Sequence, residues 1–164
     1  VAQPMLAARA LFALLDETLD RLTGGAALEA QVLWFELRLL DCLGLAPRLA
    51  ECPGCPLAPE ARDCRFALAA GRLDCRHRPA PQPSGAATVA LDAALLDTLR
   101  RWQRAAAPPG GDNIPAANLA VGMRRFLDMF MRCHLDVPAA TRQALFAWLA
   151  AMPGGKGESV ARNR

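Results

Sequence analysis

The sequence predicts a mainly α protein, a helical bundle domain carrying a small inserted β-hairpin module. Three observations lead there. Alanine and leucine dominate the 164 residues and tyrosine is absent, a composition that favours helices over strands. Apolar residues recur three and four positions apart over most of the chain. Four of the six cysteines fall between residues 51 and 78, where that periodicity stops. A chain of this length supports one ordinary hydrophobic core with a small module attached, and two full domains are not expected.

The first helical run spans Leu6 to Leu22, with Leu11, Leu15, Leu19 and Leu22 on one stripe and Asp16, Glu17, Asp20 and Arg21 on other faces. Gly24 and Gly25 end it. The next, Ala27 to Leu43, carries two stripes: Leu28, Val32, Phe35 and Leu39 form one, and Leu33, Leu37 and Leu40 the other. A helix apolar over so wide an arc belongs in the middle of the core, and Gly44 supplies its stop.

Between residues 51 and 78 the chain turns rich in Cys, Pro and Arg. Two short segments, Arg65-Phe66-Ala67-Leu68 and Arg72-Leu73-Asp74, flank Ala69-Ala70-Gly71 and read as a hairpin turning at the glycine. Prolines 79, 81 and 83 with Ser84 and Gly85 make a linker. Helical periodicity resumes after Asp92, a suitable N-cap, with Leu95, Leu99 and Trp102 inward and Arg100, Arg101 and Arg104 left to solvent. A helix from Ala116 to about His134 buries Leu119, Met123, Phe126 and Phe130, and a last one from Thr141 to Ala150 offers Leu145, Trp148 and Leu149. The expected organisation is first helices over 1–50, a zinc-finger-like insert over 51–78, a linker over 79–87, the remaining helices over 88–152 and a disordered tail over 153–164.

Cys52-Pro53-Gly54-Cys55 is a two-residue-spaced pair in a tight turn, the geometry that brings two thiolates to one metal. A hairpin turning near Gly71 brings Cys64 and Cys75 close across its strands, so four sulfurs can converge on a tetrahedral zinc site, with His77 as an alternate ligand. Four protein ligands leave no open coordination position, so such a zinc is structural. Reduced thiols or the remnant of a lost site are the alternative. Cys42 and Cys133 read as buried small residues, and His134 as a core or capping histidine.

Catalysis has no candidate residues. The chain holds no glycine-rich phosphate loop, no serine in a nucleophile-elbow context and no carboxylate pair with a histidine on one helical face. Glu36 and Asp41 are five apart on one helix and diverge, so hydrogen-bonded or surface roles suit them better. The formal charge of +3 is mild and almost wholly arginine, because Lys156 is the only lysine. That balance permits a nucleic-acid partner without demanding one. No stretch reaches the roughly 18 apolar residues of a membrane span, so a cytoplasmic protein is expected. The chain begins at Val1 with helical pattern almost at once, a start compatible with a fragment as well as with a whole chain.

The run Phe35-Glu36-Leu37-Arg38-Leu39-Leu40-Asp41-Cys42-Leu43-Gly44-Leu45-Ala46-Pro47-Arg48-Leu49, followed at once by Cys52-Pro53-Gly54-Cys55, resembles the C-terminal domain of the bacterial recombination mediator family RecO. Phe66 to Cys75 looks like the family's hairpin, and Arg125 to Leu135 is similar to its last helix. The resemblance implies an N-terminal OB-fold joined to a helical domain that often carries a zinc finger. It also implies binding to single- and double-stranded DNA, partnership with RecR and with the tail of single-stranded-DNA-binding protein, and help in loading RecA during gap repair. Three departures stand out. Arg78 occupies the place of the family's fourth ligand cysteine, Ala139-Ala140-Thr141 replaces a lysine–serine element, and no OB-fold lies within these residues.

On this basis Arg62, Arg65, Arg72, Arg76 and Arg78 form a basic insert, while Arg100, Arg101 and Arg104, with Arg124, Arg125 and Arg132, form two helical patches for DNA phosphates. A groove near Trp102, Phe126 and Trp148 is expected to receive the acidic, aromatic-ended tail of single-stranded-DNA-binding protein. Two other classes of function compete. One is an interaction scaffold of the same fold that has lost DNA annealing. The other is a thiol redox enzyme, which needs a low-pKa cysteine.

Overall fold

A computed structural model describes residues 4–23, 27–50, 64–75, 87–108, 110 and 114–152. Among them are five helices, α1 (Pro4–Thr23), α2 (Leu28–Cys42), α3 (Ala93–Arg104), α4 (Ala117–Leu135) and α5 (Ala139–Ala151), and three strands, β1 (Cys64–Ala67), β2 (Arg72–Cys75) and β3 (Thr88–Ala90). The mainly α expectation holds, and the predicted hairpin is present.

α2 is the hub, packing against α1, α3, α4 and α5. Its two apolar stripes explain that position, since Val32, Leu33, Leu37 and Leu40 are all buried. The helix ends in a Schellman arrangement: Leu45 N–H donates to the Leu40 carbonyl at 2.8 Å and Gly44 N–H to that of Asp41 at 2.9 Å. Gly44 sits at φ 71°, the left-handed conformation in which a missing Cβ removes the penalty. α3 begins where its N-cap predicts, with Leu95 N–H donating to Asp92 Oδ1 at 2.7 Å. Replacing Asp92 with alanine is expected to lower stability by about 1 kcal/mol, measured by denaturant unfolding.

The sheet has the order β2-β1-β3 and both pairings are antiparallel. Its third strand lies just beyond the proline-rich linker and was not expected from the sequence, since three residues are too short to show alternation. Gly71 turns the β1–β2 hairpin at φ 61°. Arg48 bridges to β2 in parallel, so the segment after α2 extends the sheet by one step. Phe66 and Leu73 are fully buried and belong to the same cluster as the helix side chains, so the hairpin shares the helices' core. Phe66 meets Phe126 edge to face at 5.0 Å and Phe130 at 5.8 Å between ring centroids. His134 completes this seam: its Nε2 is 2.8 Å from the Leu68 carbonyl oxygen and its ring lies against Phe130. In that geometry the proton sits on Nε2 and the histidine ties the end of α4 to the hairpin turn.

Three inward faces differ from expectation. On α1, Leu14 and Thr18 are buried, whereas Leu15 and Leu19 point outward with Phe12. Thr18 tolerates burial because its hydroxyl donates to the Leu14 carbonyl at 2.6 Å. A helix apolar on several sides offers periodicity no single choice of face. On α5 the buried residues are Arg142, Phe146 and Leu149, while Leu145 and Trp148 are exposed. On α3, Arg100 is buried instead of solvated. Its Nε and a terminal nitrogen donate to the carbonyls of Leu49 and Ala50 at 2.8 and 3.0 Å, holding the chain after α2 onto α3.

Candidate functional site

The groove begins with a choice made inside the bundle. α5 carries one charged residue, Arg142, and turns it inward. There it meets Glu36 of α2, also buried, and the guanidinium donates from Nε to Oε1 and from a terminal nitrogen to Oε2, both at 2.6 Å. The other terminal nitrogen donates to the Arg124 carbonyl of α4 at 2.7 Å, and Asp128 lies 3.9 Å away. One arginine therefore joins α2, α4 and α5. Burial pushes the Glu36 pKa above its ordinary value, the hydrogen bond and charge of Arg142 oppose that, and the charge of Asp128 adds to it. Both carboxylate oxygens accept from the guanidinium, which is the bidentate geometry of an ion pair.

Outside this anchor, α4 and α5 leave an open groove of about 460 Å³. Val121, Phe146, Ala147 and Ala150 supply its apolar lining; Arg124, Arg125 and Arg142 supply cations against the single carboxylate of Asp128. Val121 is 51% exposed, an apolar residue left facing the groove mouth. Phe146 lies beneath two guanidinium groups, at 5.2 Å from Arg124 and 4.8 Å from Arg142. Arg124 is half-committed through a 3.5 Å contact with Glu29. Arg125 is exposed and makes no ion pair among the described residues. The groove thus presents an aromatic and aliphatic floor beneath a cationic rim, a combination suited to an anionic ligand with an apolar end.

The residues expected to form the partner groove do not share a surface. Trp102 and Phe126 are each 1% exposed and fill the core, and Trp148 alone of the three is outside, at 56%. The physical reason is size: the largest apolar side chains contribute most when fully buried. Arg125, Phe146 and Arg142 take their place. Arg125 was expected to meet DNA, whereas the sequence pattern does not single out Phe146 or Arg142. A single arginine in an otherwise neutral helix was the signal that could have singled out Arg142.

Of the other basic residues, Arg65 of β1 is exposed and Arg72 of β2 is half-buried. Arg101 and Arg104 are exposed on the last turn of α3, and Arg132 is exposed but pairs with Asp128 at 3.0 Å. Arg100 is committed to backbone carbonyls and cannot face a phosphate. Arg62, Arg76 and Arg78 lie outside the described residues, as do Cys52, Cys55 and His77. The backbone register pairs Cys64 with Cys75 across β1 and β2, the closeness that a turn at Gly71 predicts. Among the described residues no group of three potential metal ligands converges. Cys42 is half-buried and Cys133 is exposed, so Cys133 is not the buried small residue expected. No helix among the described residues is long and apolar enough to cross a membrane.

The family described as "Recombination protein O C terminal" matches residues 3–143. DNA repair protein RecO of Myxococcus xanthus is 37% identical over 128 residues, covering 76% of this chain and 48% of that protein. DNA repair protein RecO of Acidithiobacillus ferrooxidans is 33% identical over 142 residues, covering 85% of this chain and 51% of that protein. The chain spans about half the length of these curated relatives. No solved structure matches it.

Proposed function

The chain belongs to the RecO family of DNA repair and recombination proteins, and from that membership we propose that it acts as a docking domain of a recombination mediator rather than as a catalyst. Its α4–α5 groove receives an acidic, aromatic-ended peptide, the C-terminal tail of single-stranded-DNA-binding protein. The observation that carries this reading is the pairing of an apolar floor, Val121, Phe146 and Ala147, with the exposed cation of Arg125 at its rim, which makes no ion pair among the described residues. A terminal aromatic ring finds apolar contact and a guanidinium face, and its carboxylates find arginines. The test is a binding titration with a synthetic aspartate-rich peptide ending in phenylalanine with a free carboxylate. The wild-type chain is expected to bind and Arg125→Glu to weaken binding about tenfold or more, as reversal of a rim charge does. Equal affinity in the two proteins contradicts the assignment.

DNA contact is assigned to the exposed arginines Arg65, Arg101 and Arg104, with Arg62, Arg76 and Arg78 contributing from outside the described residues. Arg100 is withdrawn from the expected set by its burial, half-buried Arg72 and ion-paired Arg132 are left out of it, and Arg124 and Arg125 serve the groove instead. If these residues meet phosphates, log affinity falls linearly with log salt, and Arg101→Glu with Arg104→Glu lowers both affinity and slope. A salt-independent affinity contradicts it. RecR-like protein remains a proposed partner, with RecA loading in gap repair as the process served and the cytoplasm as its place.

A structural zinc held by Cys52, Cys55, Cys64 and Cys75, with His77 as alternate, is proposed on the same footing. The Cys64–Cys75 register supports it, since two of the four candidate ligands are cross-strand neighbours. Metal analysis with thiol titration decides: one zinc per chain with four protected thiols supports the set, and six reactive thiols without metal exclude it.

A further inference from the structure

We propose that Glu36, behind the groove on α2, sets how strongly the groove attracts an anionic ligand, because it neutralises the Arg142 cation at the groove floor. The assignment rests on the α4–α5 groove being the docking site proposed above.

Three guanidinium groups border the groove, and their charges are not equally available. Arg125 is exposed and unpaired among the described residues, and Arg124 is partly offset by Glu29 at 3.5 Å. Arg142 lines the groove and lies over the Phe146 ring, yet both its inward nitrogens are held by Glu36 and the third by a backbone carbonyl. An acidic ligand resting on Phe146 meets a floor cation whose charge is cancelled from the opposite side. Removing the Glu36 charge leaves Arg142 in place, still hydrogen-bonded to the Arg124 carbonyl, with a positive charge beneath the ligand that only Asp128, at 3.9 Å, offsets. The electrostatic consequence therefore opposes the structural one. A purely structural role for Glu36 predicts weaker binding when it is changed, and a masking role predicts tighter binding.

The charged groups facing Glu36 are Arg142 from α5 and Asp128 from α4; among the described residues, α1 and α3 contribute none that acts on it. Asp128 replaces it only in part, because it pairs with Arg132 at 3.0 Å and stands farther from Arg142, at 3.9 Å, than Glu36 does at 2.6 Å. Burial raises the Glu36 pKa above its ordinary 4.5, which itself lies above the usual aspartate value of about 3.9. Glu36 therefore takes up its proton before the ligand's own carboxylates do, and acidification unmasks Arg142 while the ligand is still charged.

The experiment compares wild-type chain and Glu36→Gln in titrations with two synthetic peptides, the aspartate-rich one above and a counterpart with asparagine at every aspartate. Glu36→Gln is expected to bind the acidic peptide about fivefold more tightly at neutral pH, the order of one unscreened charge near a protein surface. The neutral peptide is expected to gain nothing. In the wild-type chain the preference for the acidic over the neutral peptide grows as pH falls from neutral to about 4.5, where most of the aspartate, at about 3.9, is still ionised. That profile needs no variant and stands if Glu36→Gln fails to fold. Unchanged or weaker binding of the acidic peptide by folded Glu36→Gln, or a flat wild-type preference, overturns the masking role alone. Failure of the wild-type chain to bind the acidic peptide at any pH overturns the docking reading and the masking role together.

Discussion

Replacing Phe66 with alanine is expected to destabilise the chain by about 3–5 kcal/mol, the cost of emptying a large aromatic site in a packed core. Phe66 is fully buried, and it touches both Phe126 and Phe130 edge to face. Those contacts form the main seam between the hairpin and α4, with the His134 bond to the Leu68 carbonyl beside it. The ring supplies burial and an aromatic geometry worth about 0.5–1.5 kcal/mol more per pair. Leucine in its place keeps much of the volume and should cost less than alanine. Chemical denaturation measures both, and a Phe66→Ala loss under about 1 kcal/mol would show that the sheet is not part of the helices' core.

The second large effect concerns Arg142. Changing it to methionine leaves Glu36 buried without its counter-charge, and breaking such a pair costs about 3–5 kcal/mol. Glu36→Gln together with Arg142→Met removes both charges and should cost much less than the single Arg142 change. The pH dependence has a definite sign. Because the Glu36 pKa is raised in the folded state above its ordinary 4.5, the folded chain binds that proton more tightly than the unfolded chain between the two values. Raising pH through that window lowers stability by this group's share, and above the folded-state value the share is constant. Without Arg142 the opposing hydrogen bond and charge vanish, so the window extends to higher pH. Denaturant midpoints measured across pH for wild-type and Arg142→Met report this directly; identical profiles would contradict the coupling.

Helix existence was legible because long periodic segments with caps leave few alternatives. Asp92 as the N-cap of α3, Gly44 after α2 and Gly71 at the hairpin all act where their chemistry places them. Which face of a helix turns inward was less legible for α1 and α5, where apolar residues surround the axis and the neighbours decide. Polar burial was the least legible. Glu36, Arg100 and Arg142 look like surface residues to any pattern based on polarity, and each is buried because a specific partner from a distant segment satisfies it. The groove followed the same logic: two tryptophan and phenylalanine candidates went to the core, and an arginine with no obvious role became its anchor. The run from Phe35 to Leu49 carried the family resemblance, and the family match over residues 3–143 agrees with it.

Docking of an acidic, aromatic-ended peptide in the α4–α5 groove is the proposal on which the rest depends. Titrating the synthetic aspartate-rich peptide into isotopically labelled chain, with amide resonances recorded at each step, tests it most directly. Saturable shifts are expected to concentrate at Val121, Arg125, Gln143, Phe146 and Ala147, with the sheet residues around Phe66 unmoved. Shifts centred on α1 or on the sheet, or no shifts at millimolar peptide, would contradict it.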